Sequence, residues 1–177
     1  MRRVSTPSSH VAVIGAGVSA LVLALADAGY RHISAVDISA AALEQLQQSV
    51  AATTGVAAGN VMYVCADVRS VRFDTPVDVW HDRATFHFLT DEADRRMYAD
   101  RLGEAVPIGG SALIATFALD GPEQCSGLPV QRYSVSGLHA EFADRFDLVD
   151  SWGAQHVTPW GATQSFTHVL LHRADRG

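Results

Sequence analysis

The chain has 177 residues, of which 48% are apolar and 18% charged, a make-up that suits one domain with a sizeable core. A formal charge of −6 supplies no basic field, so neither nucleic acid nor an anionic membrane is an expected partner. Cys65 and Cys125 are far apart in no metal or redox spacing, which leaves a reducing, cytoplasmic setting as the best fit.

Residues 1–9 are polar and are expected to be disordered. Arg2 and Arg3 precede an apolar run from Val11 to Ala26, and Ala24-Leu-Ala26 looks like a cleavage site, so a leader peptide has to be weighed. Two features argue against it. The run is short for a membrane span, and a strand–turn–helix–strand pattern runs directly through it.

His10–Ile14 reads as the first strand. Gly15-Ala-Gly17 follows as a tight turn, and Val18–Ala28 as a helix closed by Gly29. Gly15 permits the sharp exit from the strand. Gly17 lets a ligand come close to a backbone without a Cβ. The first turn of the helix then offers free N–H groups to a polar ligand. His32–Val36 is the second strand and ends in Asp37, twenty residues after Gly17. An acid there can accept from both hydroxyls of a ribose.

Ser39 can cap a second helix whose Leu43, Leu46 and Val50 keep helical spacing. Residues 55–60 form a turn, and Val61–Cys65 a third strand leading to Asp67. Val77–Trp80 is the fourth strand, with His81-Asp82-Arg83 after its end. Thr90 opens a helix whose first turn is acidic, followed by a Pro107/Gly109-Gly110 turn and a fifth strand, Ser111–Phe117. Residues 120–129 are a loop, Ser134 or Ser136 caps a short helix to about Phe142, and Phe146–Trp152 and Gln164–Leu171 form a closing antiparallel hairpin. The sum is an α/β fold: a mostly parallel sheet, helices on both faces, in a single domain spanning 1–177.

Ligands in such sheets sit beyond the carboxyl ends of the strands. The strand ends here bring together the glycine turn, Asp37, Asp67 and His81-Asp82-Arg83. Given these residues, the chain resembles a class I S-adenosylmethionine-dependent methyltransferase. The matching stretches are Val11–Ser19, Ala35–Ser39, Cys65–Val68, Val79–Leu89 and Pro107–Phe117. Two C-terminal pieces, Cys125–Tyr133 and Thr158–Phe166, are similar to one bacterial subgroup of small-molecule methyltransferases.

The resemblance implies a Rossmann-like, seven-stranded sheet with strand seven antiparallel between strands five and six. It implies S-adenosyl-L-methionine as cofactor and a small-molecule acceptor. Gly15 and Gly17 would pass under the methionine part, Asp37 would hold the ribose, and Ile38 would lie on the adenine. Asp67 would accept from the adenine amino group, with Val68 along the ring. His81 and Asp82 would stand near the amino-acid end and the methyl group and are the catalytic candidates, with His87 and His156 as further possible bases. Val13 departs from the family pattern, which usually has an acid at that position, and only about ten residues precede strand one, where related chains carry a further covering segment.

For the acceptor, Arg83 could meet an anion or pair with Asp82, Arg132 and Tyr133 could line its pocket, and Trp160 could cap it. His168 and His172 lie in a strand, where four residues span about 13 Å, so no metal site is expected. A rival reading is a flavin- or nicotinamide-dependent oxidoreductase, since Gly15-Ala-Gly17 with Ala20 resembles G-x-G-x-x-A. A third is a non-catalytic relative lacking the N-terminal cover.

Overall fold

A computed structural model describes residues 4–53, 58–158 and 161–176. Strand β1 (His10–Ile14) is buried along its whole length, as a central parallel strand must be. The turn after it leads into α1 (Ala20–Asp27), whose first free N–H groups include that of Leu21, bonded to the Ser19 hydroxyl. Next come β2 (His32–Asp37) and α2 (Ala40–Ala52), the latter capped by Ser39. Strand β3 (Val61–Cys65) and strand β4 (Val79–Arg83) follow. Helix α3 (Glu92–Ala105) is capped by Asp91 rather than started by Thr90.

Strand β5 (Ser111–Phe117) leads to a small hairpin, β6 (Gln124–Cys125) with β7 (Leu128–Pro129). The sequence predicts a loop over this stretch, and the structure pairs part of it. Its turn places Ser126 at φ 52° and Gly127 at φ 79°, both left-handed, as a two-residue hairpin turn requires. Helix α4 (Val135–Ala140) is capped by Ser134. The long strands β8 (Phe146–Val157) and β9 (Thr163–Arg173) end the chain.

Among the described residues the main sheet has the order β3-β2-β1-β4-β5-β9-β8. The first five strands of that order are parallel, and β9 runs antiparallel between β5 and β8. This is the predicted mostly parallel Rossmann-like sheet with its antiparallel closing pair. Helices α1 and α2 cover one face through Val22, Leu25, Leu43, Leu46 and Val50 against Val11, Val13, Ile33 and Val79. Helices α3 and α4 cover the other through Tyr98, Leu102 and Leu138 against Ile14, Trp80, Ile114 and Val169. Each such side chain, fully buried, stabilises by roughly 1.5–3 kcal/mol before chain entropy is set against it. Strand β8 is an outer strand whose residues are largely exposed, and its pairing with β9 slips between Leu148 and Asp150.

Residues 4–9, expected to be disordered, are tied to the body. The Ser5 and Tyr30 hydroxyls lie 2.7 Å apart, and the Arg31 N–H donates to the Pro7 carbonyl. Among the described residues no helix is long and apolar enough to cross a membrane.

His87 is fully buried against Phe88 and Phe117, and neither ring nitrogen has a hydrogen-bond partner among the described residues. Burial pushes it down to about 4. Its folded value lies below the unfolded value of about 6.5, so the unfolded chain binds the proton first as pH falls. His87 therefore costs stability increasingly from pH 6.5 down to 4. His87→Leu is expected to raise stability in urea by about 1–2 kcal/mol at pH 7.5, and by about 2 kcal/mol more at pH 5. An unchanged difference between the two pH values would contradict the assignment.

Candidate functional site

A cleft of about 530 Å³ opens at the carboxyl ends of β1, β2, β3 and β4, within the usual range for a small-molecule site. Four local devices build it. The first is the Gly15 turn. Gly15 sits at φ 61°, and a Cβ built on it would overlap Thr85 Oγ1 and lie 3.1 Å from Thr85 Cβ. No residue with a side chain fits there.

The second is Asp37 at the end of β2. One carboxylate oxygen accepts the Gly17 N–H at 2.7 Å, and the other the Ser39 N–H at 2.8 Å. Two backbone donors thus fix the carboxylate and leave each oxygen a further lone pair for a ligand. Gly17, at φ 47°, serves the site through this bond and does not itself line the cleft. Ile38, 74% exposed, and the buried Val68 present apolar surface on the cleft wall.

The third device joins β3 to α3. Asp67 lines the cleft, but its carboxylate is held by Arg69, through Nε at 2.9 Å and through Nη2. The Arg69 hydrogen bond is the main reason the Asp67 carboxyl lies below the usual carboxylate range. The same guanidinium reaches Asp94 at 2.8 Å, in the first turn of α3.

The fourth is the turn that follows β4, and here the structure corrects the sequence reading. Strand β4 continues through Arg83, so His81-Asp82-Arg83 lie within the strand and alternate faces. Asp82 is fully buried and turned toward α3, away from the cleft. It accepts the Tyr98 hydroxyl at 2.7 Å, the Thr85 N–H at 2.9 Å and the Phe86 N–H at 3.0 Å. Burial raises its carboxyl to about 7 even though all three donors pull the other way. Tyr98 in turn accepts from the Trp80 indole at 2.8 Å. Asp82 is therefore enclosed by these donors in the core, out of solvent and off the cleft wall, whereas the sequence reading sets it beside the cleft. What it does is hold the turn Ala84–Phe86, in which Ala84 takes φ 68°, a strained conformation for a residue with a Cβ. That turn sets Thr85 against Gly15, where its hydroxyl donates to the Ile14 carbonyl at 3.3 Å.

His81 and Arg83 point to the other face and line a second cavity of about 360 Å³, which shares Ile14 and Gly15 with the first and adds Ser19. Burial pushes His81 down to about 4, so it is neutral at pH 7. Arg83 does not pair with Asp82. Its guanidinium lies 4.9 Å from the centre of the Phe166 ring. His87, in the short helical turn after Thr85, is buried out of the cleft, and His156 is exposed on β8.

Arg132 and Tyr133 do not line the cleft either. Arg132 anchors its loop through the Gly121 carbonyl and Glu123. Tyr133 is buried and donates to Glu141, which raises its phenol further above the ordinary range that burial has already left behind. Trp160 lies outside the described residues. Residues the sequence reading missed are Thr85, Arg69, Asp94, Phe88, Leu89 and Leu128, all on the cleft wall. Only Leu128 had a readable signal, the Ser126-Gly127 turn pair that makes a hairpin and brings it over the cleft.

Residues 11–110 match a protein family described as a methyltransferase domain. No curated protein matches the chain significantly. Solved structures match over nearly its whole length. A protein described among SAM-dependent methyltransferases, from Methanosarcina mazei, is 13% identical with a TM-score of 0.81, over 97% of this chain and 95% of that one. The N-methyltransferase NodS from Bradyrhizobium japonicum WM9, in complex with S-adenosyl-L-homocysteine, is 12% identical with a TM-score of 0.72, over 94% and 79%. The 1,6-didemethyltoxoflavin-N1-methyltransferase of Burkholderia thailandensis, with 1,6-didemethyltoxoflavin and S-adenosylhomocysteine bound, is 20% identical with a TM-score of 0.73, over 95% and 72%. At such identities the likeness is one of fold.

Proposed function

This chain belongs to the methyltransferase-domain family, and on that premise we propose that it carries the methyl group of S-adenosyl-L-methionine to a small-molecule acceptor, at an oxygen, nitrogen or sulfur atom. The observation that supports this most is the composition of the cleft: a turn at Gly15 with no room for a Cβ, a backbone-held carboxylate at Asp37, and apolar Ile38 and Val68 flanking the same space. Those residues fit a nucleoside with a charged tail.

In this reading Asp37 accepts the ribose hydroxyls, and Ile38 and Val68 border the base. Asp67 accepts the adenine amino group after giving up part of its hold on Arg69. Gly15 and Gly17 pass beneath the methionine part, with His81 at its end. When bound, the sulfonium supplies a methyl group already activated for in-line displacement, so most of the acceleration falls to positioning and exclusion of water. The chain's contribution is then to fix the turn at Thr85 and to enclose the reacting atoms with Phe88, Leu89 and Leu128. His81, neutral at pH 7, offers a ring nitrogen to the acceptor rather than a charge. The Burkholderia protein, named as a 1,6-didemethyltoxoflavin-N1-methyltransferase, is in keeping with a small-molecule acceptor. We place the protein as a single domain in the cytoplasm, where Cys65 and Cys125 stay as free thiols.

Calorimetry against S-adenosylhomocysteine, S-adenosylmethionine and NADH tests the reading. Both sulfur nucleosides are expected to bind. Asp37→Ala is expected to weaken adenosylhomocysteine by about 30–100-fold, the loss of one or two charge-assisted hydrogen bonds. Binding of NADH in place of the sulfur nucleosides would instead make the chain an oxidoreductase.

A further inference from the structure

Three charged side chains that line the cleft, Asp67, Arg69 and Asp94, form one network. Asp67 Oδ1 accepts the Arg69 backbone N–H at 2.8 Å and Nε at 2.9 Å. Oδ2 accepts Nε at 3.1 Å and also Nη2. A carboxylate oxygen has two lone pairs, so among the described residues Arg69 alone takes up every acceptor position of Asp67. Asp94 is used differently. It accepts Nη1 at 2.8 Å through one oxygen, and its other oxygen has no hydrogen-bond partner among the described residues.

One guanidinium thus serves two acids, one saturated and one with room to spare. The two acids are also held by different means. Asp67 is oriented by the turn it begins, with the Arg69 backbone N–H on its side chain and the Ser70 and Val71 N–H groups on its carbonyl. None of these bonds needs the Arg69 side chain. Asp94 lies in the first turn of α3, where the helix dipole favours a carboxylate. The Arg69 and Asp67 side chains are 37% and 29% exposed, so water screens their pair. Such a pair shifts an equilibrium by no more than about fivefold. A ligand with its own N–H donor is therefore able to displace the guanidinium from Asp67, and Asp94 is there to receive it.

We propose that Arg69 is a specificity-determining residue for the nucleoside base: its guanidinium occupies the acceptor that the 6-amino group of a purine takes, and it yields that acceptor by moving onto Asp94. This rests on the methyl-transfer reading above, in which Asp67 meets the adenine amino group. A 6-amino purine replaces the Arg69 donors with its own and gains only the difference between the two. A purine with no group at that position leaves Arg69 where it is. Arg69 thereby narrows the preference for the amino group, and the site admits bases that a carboxylate without it would reject more strongly.

The test is calorimetry with two probes, S-adenosylhomocysteine and its analogue built on purine riboside, which lacks the 6-amino group alone. Arg69→Met keeps the backbone N–H that orients Asp67 and removes the guanidinium. The Asp67 carboxyl then returns toward its ordinary value of about 3.9 and stays ionised at pH 7.5. Arg69→Met is expected to bind adenosylhomocysteine about three- to fivefold more tightly and the analogue with unchanged affinity. Asp94→Asn, which takes away the second acid, leaves the guanidinium to Asp67 alone. It is expected to weaken adenosylhomocysteine about threefold, and to have no effect when combined with Arg69→Met. Equal or weaker binding of adenosylhomocysteine by Arg69→Met overturns the proposal. So does an equal gain for both probes, because the substitution then only widens the cleft. So does a loss from Asp94→Asn that persists alongside Arg69→Met, which would put Asp94 itself on the ligand. If adenosylhomocysteine fails to bind the unaltered protein, the methyl-transfer reading falls first and takes the base assignment with it. If it binds and Arg69→Met changes nothing, only the role of Arg69 is lost.

Discussion

Gly15→Ala is expected to remove detectable S-adenosylhomocysteine binding, a loss of at least 100-fold, and to lower stability by about 1–3 kcal/mol. Two costs combine. The added Cβ would overlap Thr85 Oγ1, and the residue must hold φ 61°, where an L side chain costs roughly 1–2 kcal/mol. Thr85 cannot retreat freely, since its N–H is fixed by Asp82 and its hydroxyl by the Ile14 carbonyl. Relief of the overlap must therefore come from moving the turn that floors the cleft. The double variant Gly15→Ala with Thr85→Ala separates the costs. It is expected to recover about half of the lost stability, leaving the backbone strain, and at most part of the binding. Calorimetry and urea unfolding of the two variants decide it. Full binding by the single variant would show that the turn is not where the ligand approaches.

Asp82→Ala is expected to destabilise the fold by about 2–4 kcal/mol at pH 7.5, because Tyr98, Thr85 and Phe86 are left with buried donors and no acceptor. Asp82→Asn, of equal size and with one acceptor oxygen, is expected to cost about half as much. The two variants also differ from the unaltered protein in their pH dependence. The folded Asp82 carboxyl, raised to about 7, lies above its unfolded value of about 3.9. Such a group contributes stability that is complete below the unfolded value and is lost as pH rises through 7. The deficit of Asp82→Asn should therefore grow by about 2–3 kcal/mol between pH 8 and pH 5. His81 and His87 act in the opposite direction over the same window, both being pushed down to about 4. The unaltered protein is expected to show a shallow acid profile because these contributions offset one another. A flat deficit for Asp82→Asn would mean that the buried carboxyl is ionised throughout.

Much of the fold was legible because it depends on short-range pattern. The apolar run of β1, the caps at Ser39 and Ser134, and the acidic start of α3 all announce themselves locally. The candidate site was legible wherever a residue ends a parallel strand, as Asp37 does. It failed at β4, where three more residues of pairing with β5 changed the meaning of three side chains. His81-Asp82-Arg83 reads as a polar exit from a strand. Pairing of Asp82 with Ile114 and of Arg83 with Ala115 keeps them in the sheet and sends Asp82 into the core. Nothing local signals this, because the partner that makes burial of Asp82 tolerable, Tyr98, lies on another element. Thr85 is unreadable for the same reason: its importance comes from Gly15, which only the fold brings beside it.

The outer position of β8 has a consequence for the molecule in a crowded solution. A twelve-residue strand paired on one side only, among the described residues, invites a second chain to add its own strand. Two features of β8 work against this. The Asp147–Arg176 ion pair puts charged groups at its start, which an apolar copied strand would have to desolvate. The slip between Leu148 and Asp150 bends the row and breaks its register with any straight partner. The exposed Val149 and Val157, which would otherwise favour fibrous stacking, are thus carried on a strand that is hard to copy onto.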